Sequence, residues 1–161
     1  MSVRLGLAMV ACALPLAACQ PTTGTSSSSA LESSPAGLEQ VPLTVTTTAG
    51  KTHRFIVEVA RSEEQQAQGL MNRQTLSPDR GMIFPYNPPV AASFWMKNTL
   101  IPLDIIFIRS DGTIARIEAN TVPLSLDPVS AGEPVAAVLE LAGGRAAELG
   151  ITAGAKVGWP G

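Results

Sequence analysis

Cysteine is almost absent from this sequence, and Cys12 and Cys19 both lie at its N-terminal end. The rest of the chain therefore has no disulfide and no thiol chemistry. Histidine is rarer still, since His53 is the only one. A single histidine without cysteines gives little support to a zinc site, and no G-x-S-x-G motif is present to use it in a catalytic triad.

Charge is also sparse, at 15% of the residues, below the usual quarter. The chain has 11 basic and 13 acidic residues. One basic residue, Arg4, lies in an N-terminal segment that we predict to be cleaved, so the mature chain would have 10 basic and 13 acidic residues. The resulting net charge of −3, without a basic cluster, predicts no nucleic-acid partner. No Walker A loop or G-x-G-x-x-G motif is present, so we predict no cofactor.

The N-terminus has the pattern of a cleaved signal peptide. Arg4 supplies a positive charge, and residues 5–16 form an apolar run of about 12 residues, too short to span a bilayer. Residues 16–19, Leu-Ala-Ala-Cys, then resemble a lipobox. We therefore predict a signal peptide at 1–18 and a lipidated Cys19 that anchors the chain to a membrane. The alternative is an ordinary secretory leader, with the cysteine incidental.

Residues 19–37 are predicted to be the lipidated cysteine and a disordered tether. The segment after Cys19 is rich in Ser, Thr, Pro and Gly, and it lacks the apolar side chains needed for packing. A flexible coil of this length reaches about 20–25 Å. An aspartate directly after the lipidated cysteine would resemble an inner-membrane retention signal, but this chain has Gln20 at that position. We therefore expect an exported lipoprotein on the outer membrane, facing the periplasm.

Residues 38–161 predict a single β-rich domain. Runs 41–47 and 53–60 are rich in β-branched and aromatic residues and flank a turn at Ala49-Gly50, which predicts a hairpin. Further strands are predicted at 81–86, 91–98, 101–109, 113–119, 134–141 and 155–159, with breaks at 87–89 and 120–133. We expect the runs at 91–98, 101–109 and 113–119 to form an antiparallel meander.

Two short helices complete the predicted domain. Ser62 followed by Gln65 has the spacing of a capping box, which predicts a helix over about residues 63–72. A second short helix is expected within 143–150. The fold class is therefore mostly β, of the α+β type: a small barrel-like or curved antiparallel sheet with one or two short helices.

Three charged residues lie in apolar strand segments. Asp104 is flanked on both faces of residues 101–108 by apolar side chains, so we expect it to be buried and to need a partner or a raised pKa. Lys97 shares a strand face with Trp95 and would lie near Asp104 if 91–98 and 101–109 pair, which allows an ion pair. Glu140 follows Val138 and Leu139 in the predicted strand at 134–141, which is otherwise apolar.

These residues define one candidate cluster with two interpretations. Its members are Trp95, Lys97, Asn98, Asp104 and Glu140. An acid and a base beside an aromatic ring can bind or transform a small polar ligand. The same residues can instead form a structural polar network that fixes strand register.

Four stretches carry a resemblance to a known family. They are 69–71 (GLM), 81–84 (GMIF), 94–104 (FWMKNTLIPLD) and 138–141 (VLEL). Together they resemble the domain-of-unknown-function 192 family over residues 54 to about 158. The resemblance implies a compact, mostly β domain, often exported and without an assigned biochemical role. Its motif contains the five candidate residues.

Three functions remain open, and whether the protein is an enzyme stays open with them. The favoured one is a lipid-anchored, non-catalytic binding or envelope-assembly module with a small polar ligand or an envelope partner. The second is an envelope hydrolase or lyase with Asp104 or Glu140 as acid or base and Lys97 stabilising an anion. The third and most remote is Cu(I) handling, although we predict no metal site. Its ligands would come from Met71, Met82, Met96, Trp95 and His53.

Overall fold

The computed structural model describes Ser34 and residues 36–161, so the predicted leader, Cys19 and most of the tether lie outside the described residues. The described strands are β1 (Gln40–Thr46), β2 (Thr52–Val59), β3 (Arg80–Val90), β4 (Ser93–Phe94), β5 (Leu103–Ile108), β6 (Ile114–Glu118), β7 (Val129–Ser130), β8 (Val135–Ala142) and β9 (Lys156–Gly158). The helices are α1 (Glu63–Gln68) and α2 (Arg145–Leu149). The predicted fold class, mostly β with two short helices, is confirmed.

Seven of the strands form one curled sheet in the order β6-β5-β8-β3-β2-β1-β9. Neighbouring strands are antiparallel except β2 and β3, which are parallel and joined through α1. The edges of this sheet approach each other, because the Val157 N–H donates to the Gly112 carbonyl and the Ile114 N–H to the Ala155 carbonyl, both at 2.9 Å. The sheet therefore has the predicted barrel-like curvature.

Each face of the sheet carries its own apolar cluster. Ile83, Leu139 and Ile106 are neighbours across β3, β8 and β5, and they belong to the first cluster. The adjacent row, which includes Phe84 and Phe107, points to the opposite face and belongs to the second cluster, because successive side chains alternate. All six residues of β5, including Asp104, are therefore buried, as the apolar residues on both faces of this segment predicted.

Helix α1 has the predicted capping box but ends early. The Ser62 hydroxyl accepts the Gln65 N–H, and the Gln65 side chain accepts the Ser62 N–H in return. The helix stops at Gln68 rather than near residue 72, because Gly69 has a φ of 48°. Gln66 Nε2 donates hydrogen bonds to the carbonyls of Ala60, just after β2, and Pro85, on β3, at 3.2 and 3.3 Å. These bonds fix the helix against the edge of β3.

The predicted strand at 91–98 and its pairing with 101–109 are wrong. Only Ser93–Phe94 forms a strand, and it pairs with β7, which falls in the segment predicted to be a loop. Both edges of β5 are already occupied, by β6 and β8, so no edge is free for residues 91–98. The segment turns instead at Asn98, which has a φ of 55°.

Strand β3 continues where a break was predicted. It runs through Asn87-Pro88-Pro89 to Val90, with a shift of register against β8 between Pro85 and Val90. Such an irregularity accommodates prolines that cannot donate hydrogen bonds to the neighbouring strand. At the other end of β3, a Cβ on Gly81 would lie 2.4 Å from the Glu140 carbonyl oxygen. The close approach of β3 to β8 therefore requires glycine there.

Candidate binding pocket

A cavity of about 380 Å³ opens on the sheet face that carries the second apolar cluster. Its wall combines the end of α1 and the following turn with β3, β4, the turn after β4 and one residue of β8. The lining residues are Gln66, Ala67, Gln68, Gly69, Leu70, Met71, Phe84, Tyr86, Ser93, Phe94, Trp95, Thr99 and Glu140. We call this cavity the Glu140 pocket.

Aromatic rings form much of the pocket wall. Phe94 packs edge-to-face on Phe84, with centroids 5.0 Å apart, and edge-to-face on the buried Phe107 at 6.3 Å. These contacts hold the Phe94 ring in one orientation. Trp95 lies at the rim, where 49% of it is exposed. The wall is thus held rigidly on its inner side and open to solvent at the tryptophan.

Among the described residues of the pocket wall, Glu140 is the only acidic one, and it is 5% exposed. Within the described part of the chain its carboxyl group has no hydrogen-bond or ion-pair partner. Burial raises the pKa of Glu140 to about 8, against an opposing, smaller effect of the Arg73 guanidinium. Burial and then the charge of Glu140 raise the pKa of Tyr86 to about 12. At neutral pH both groups are therefore predominantly protonated.

Arg73, the arginine that acts on Glu140, is hydrogen-bonded to the carboxylate of Glu58. Glu58, Met82 and Glu140 are direct neighbours across β2, β3 and β8, so the two glutamates lie on the same face on either side of the methionine. Arg73 donates two hydrogen bonds to the buried Glu58 carboxylate, at 2.5 and 2.7 Å. This geometry leaves Glu140 with only a longer-range attraction to the arginine. The Arg73–Glu58 pair was not predicted from the sequence.

Asp104 is fully buried, as the sequence predicted, but it lies outside the pocket wall. Its carboxylate accepts backbone N–H groups from Asn120 and Gly144 on Oδ1, at 2.7 and 2.8 Å, and from Ala146 on Oδ2, at 2.7 Å. Gly144 is the N-cap of α2 and has no side chain to cap it, so Asp104 performs that role from β5. For Asp104, the structure fits the interpretation of the candidate residues as a structural polar network.

The predicted ion pair between Lys97 and Asp104 does not form. Lys97 is exposed, and its Nζ lies 5.0 Å from the centroid of the Trp95 ring, a cation–π contact. Asn98 Nδ2 contacts the Met71 sulfur at 3.9 Å, which links the two sides of the pocket. Of the five candidate residues, only Trp95 and Glu140 line the pocket.

The methionines do not form a common site in the wall. Met82 and Met96 are buried in the second cluster, and the Met96 sulfur accepts the Thr121 hydroxyl at 3.1 Å. Met71 alone lines the Glu140 pocket. Over the described residues, no group of three or more His, Cys, Asp or Glu side chains could hold a metal ion. This arrangement does not support the Cu(I) alternative.

Several pocket residues were not predicted from the sequence as part of a site, and Tyr86 is the main one. Tyr86 is the only tyrosine in the chain. It lies two residues after Phe84, and residues at this spacing share one face of a strand. That signal was present in the sequence, but it points to a site only once β3 is known to pair with β8. Thr99 enters the wall through the turn that replaced the predicted strand.

The fold and pocket define a small β-rich domain with an aromatic-walled cavity around a buried carboxyl group. A family model for DUF192, described as Uncharacterized ACR, matches residues 44–159. The chain therefore belongs to the DUF192 family. No curated protein matches it significantly. In residues 36–161 no helix is long and apolar enough to cross a membrane.

Two solved structures are similar to this chain. A protein of unknown function from Novosphingobium aromaticivorans DSM 12444 is 52% identical, with a TM-score of 0.74, over 77% of this chain and 88% of that one. A candidate transcription regulator from Sinorhizobium meliloti 1021 is 41% identical, also with a TM-score of 0.74, over 76% of this chain and 95% of that one. Neither name describes a ligand.

We expect Asp104→Asn to destabilise the domain by at least about 3 kcal/mol, because the amide cannot satisfy three buried N–H donors as the carboxylate does. Urea denaturation followed by circular dichroism measures this loss. The control, Lys97→Ala, removes an exposed charge and should change the free energy of unfolding by about 0.5 kcal/mol or less. Equal stability of Asp104→Asn and wild type would contradict the capping role.

We also expect the stability of the wild-type domain to fall as pH rises from about 4.5 to about 8. The folded state holds the Glu140 proton more tightly than the unfolded state, so ionisation favours unfolding, by on the order of 1.4 kcal/mol per unit of pKa difference. Glu140→Gln should remove this slope, whereas Glu133→Gln, at an exposed site, should keep it. Parallel pH profiles for wild type and Glu140→Gln, from urea denaturation, would refute the assignment.

Proposed function

We propose that this chain is a lipid-anchored, non-catalytic module of the bacterial envelope that binds a small ligand in the Glu140 pocket. The observation that carries the proposal is the Glu140 carboxyl group, which is buried beside an open cavity without a hydrogen-bond partner among the described residues. Among the described residues, His53 Nε2 is the buried side-chain polar atom without a partner, so the Glu140 carboxyl oxygens remain accessible from the cavity. A ligand that bonds to them would supply the hydrogen-bond partner that the described residues do not.

The shape of the cavity supports the same proposal. Its volume of about 380 Å³ is within the range of small-molecule sites, and its lining combines aromatic rings with polar groups. The packing of Phe94 on Phe84 and Phe107 forms the wall before any ligand arrives. A pre-formed wall reduces the free-energy cost of ordering side chains on binding.

A hydrolase or lyase is the second candidate, and one observation favours it. With a pKa of about 8, Glu140 would be an acid at neutral pH, as general acid catalysis requires. The other proposed participants do not join it, because Asp104 is bonded to three amides and Lys97 lies outside the wall. Ser93 and Thr99 line the pocket, but no described residue is hydrogen-bonded to either hydroxyl as a base. Binding without catalysis is therefore the better-supported proposal.

The anchored location is proposed from the sequence of the leader. The lipobox at Cys19 and the Ser- and Thr-rich segment after it would hold the domain at the outer membrane, on its periplasmic side. The regulator name of the Sinorhizobium meliloti protein does not extend to this proposal. A mature chain with 10 basic and 13 acidic residues has no electrostatic basis for holding nucleic acid.

Filling the pocket should abolish binding without unfolding the domain. A panel of n-butylammonium, 1-butanol and butyrate is titrated into ¹⁵N-labelled protein. At least one probe should shift amide signals within 66–71 and 93–99, the segments that line the pocket. Ser93→Phe adds a ring to the pocket wall and should suppress these shifts. The control Ser110→Phe adds the same ring at an exposed position in the turn after β5, outside the pocket wall, and should keep them. If no probe perturbs the pocket, the proposed function is wrong.

Removing the lipidation site should release the protein from the membrane. We expect the full-length wild type, expressed in a Gram-negative host, to incorporate labelled palmitate and to sediment with the outer-membrane fraction. Cys19→Ala should incorporate no label, and any exported protein should be soluble in the periplasm. Cys12→Ala, which changes the other cysteine within the leader, serves as the control. A palmitate-free wild type in the soluble fraction would favour the ordinary secretory leader.

A further inference from the structure

We infer that the ligand of the Glu140 pocket is an organic cation, with its ammonium group between the Glu140 carboxylate and the aromatic rings of the wall. This inference rests on the proposed function and specifies its ligand. It depends on three features of the pocket: the acidic character of its titratable side chains, the absence of a hydrogen-bonded partner for the Glu140 carboxyl group among the described residues, and the aromatic rings in its wall.

The titratable side chains of the described pocket wall are both acidic. Glu140 and Tyr86 are the titratable residues that line the pocket, and no lysine, arginine or histidine is among its described lining residues. An anionic ligand would meet a carboxyl group and a phenol with no positive charge to offset its own desolvation. A cation would meet a carboxylate at short range in a poorly solvated site, where opposite charges attract strongly.

The neighbouring charges do not neutralise Glu140. Arg73, in the turn after α1, is the cation that acts on Glu140, and it is held by two hydrogen bonds to Glu58 on β2. On β3, Met82 lies between the two glutamates, and on β5 the neighbour of Glu140 is Ile105. A ligand ammonium would therefore supply the hydrogen-bond donors that the Glu140 carboxyl group lacks within the described chain.

The rim of the pocket already accommodates an ammonium ion. The Lys97 Nζ lies 5.0 Å from the centroid of the Trp95 ring, within the distance at which a ring face attracts a cation. Phe84, Tyr86 and Phe94 line the cavity beside this ring. In the proposed complex a ligand cation displaces the Lys97 ammonium group from the Trp95 ring and remains in contact with aromatic rings while it approaches the Glu140 carboxyl group.

A neutral ligand is the competing choice, because a protonated Glu140 can donate a hydrogen bond to an uncharged acceptor. The two kinds of ligand differ in how their affinity depends on the protonation of Glu140. A cation stabilises the ionised carboxylate and must displace the proton, so its affinity should rise by up to about tenfold per pH unit while the pH is below the pKa of the free pocket. A neutral acceptor needs the proton, so its affinity should fall as pH rises.

The experiment measures dissociation constants by amide chemical shifts for n-butylammonium, 1-butanol and butyrate at about pH 6, 7 and 8. We expect n-butylammonium to bind about tenfold or more tightly than the other two at pH 8, which corresponds to about 1.4 kcal/mol. Its affinity should increase with pH. Glu140→Gln should remove both the preference and the pH dependence, whereas Glu133→Gln, which removes an exposed carboxylate, should change neither.

A second variant tests the inference if Glu140→Gln does not fold. Trp95→Ala alters the exposed rim and should weaken n-butylammonium more than 1-butanol, since only the cation interacts with the ring quadrupole. Equal or tighter binding of 1-butanol or butyrate at pH 8 would overturn the cation inference and leave the proposed binding function intact. The absence of any shift with all three probes would overturn both.

Discussion

The carboxylate of Asp104 connects segments that strand pairing alone leaves apart, and the position of the pocket depends on it. It accepts N–H groups from Asn120, after β6, and from Gly144 and Ala146, at the start of α2. Because β8 ends just before Gly144, these bonds fix the register of β8 against β5, where Asp104 lies opposite Leu141. A slip by one residue would turn every side chain of β8 to the other face, and Glu140 would leave the pocket.

The pocket owes its character to an uneven distribution of charge on one face of the sheet. Two glutamates flank Met82, and the single nearby arginine bonds to Glu58. Glu140 is buried with only a partly offsetting attraction to that arginine, and burial raises its pKa to about 8. Folding therefore keeps a destabilising group at a cavity in this chain, and groups of this kind concentrate at functional sites. The proposed ligand is the partner that the described residues do not provide.

The sequence was sufficient where the relevant information is local. The capping box at Ser62, the hairpin of β1 and β2 and the burial of Asp104 depend on neighbouring residues. The partners of Asp104 could not be predicted, because they are backbone amides 16, 40 and 42 positions away. The strand predicted at 91–98 failed for a related reason: its composition favours a strand, but β8 already occupies the edge of β5 that it required. The pocket depends on the same long-range pairing, so only Trp95 and Glu140 were identified.

The contact between residues 112–114 and 154–157 bears on aggregation, above all if the proposed lipid anchor holds many copies on a membrane surface. Sheet edges expose unpaired N–H and C=O groups that can recruit strands from neighbouring molecules. Here β9 pairs with β1 on one side, while Val157 and the Ala155 carbonyl bond to the segment that begins β6 on the other. Little of this short strand is left for intermolecular pairing. Such protection from aggregation matters most where many copies share a two-dimensional layer.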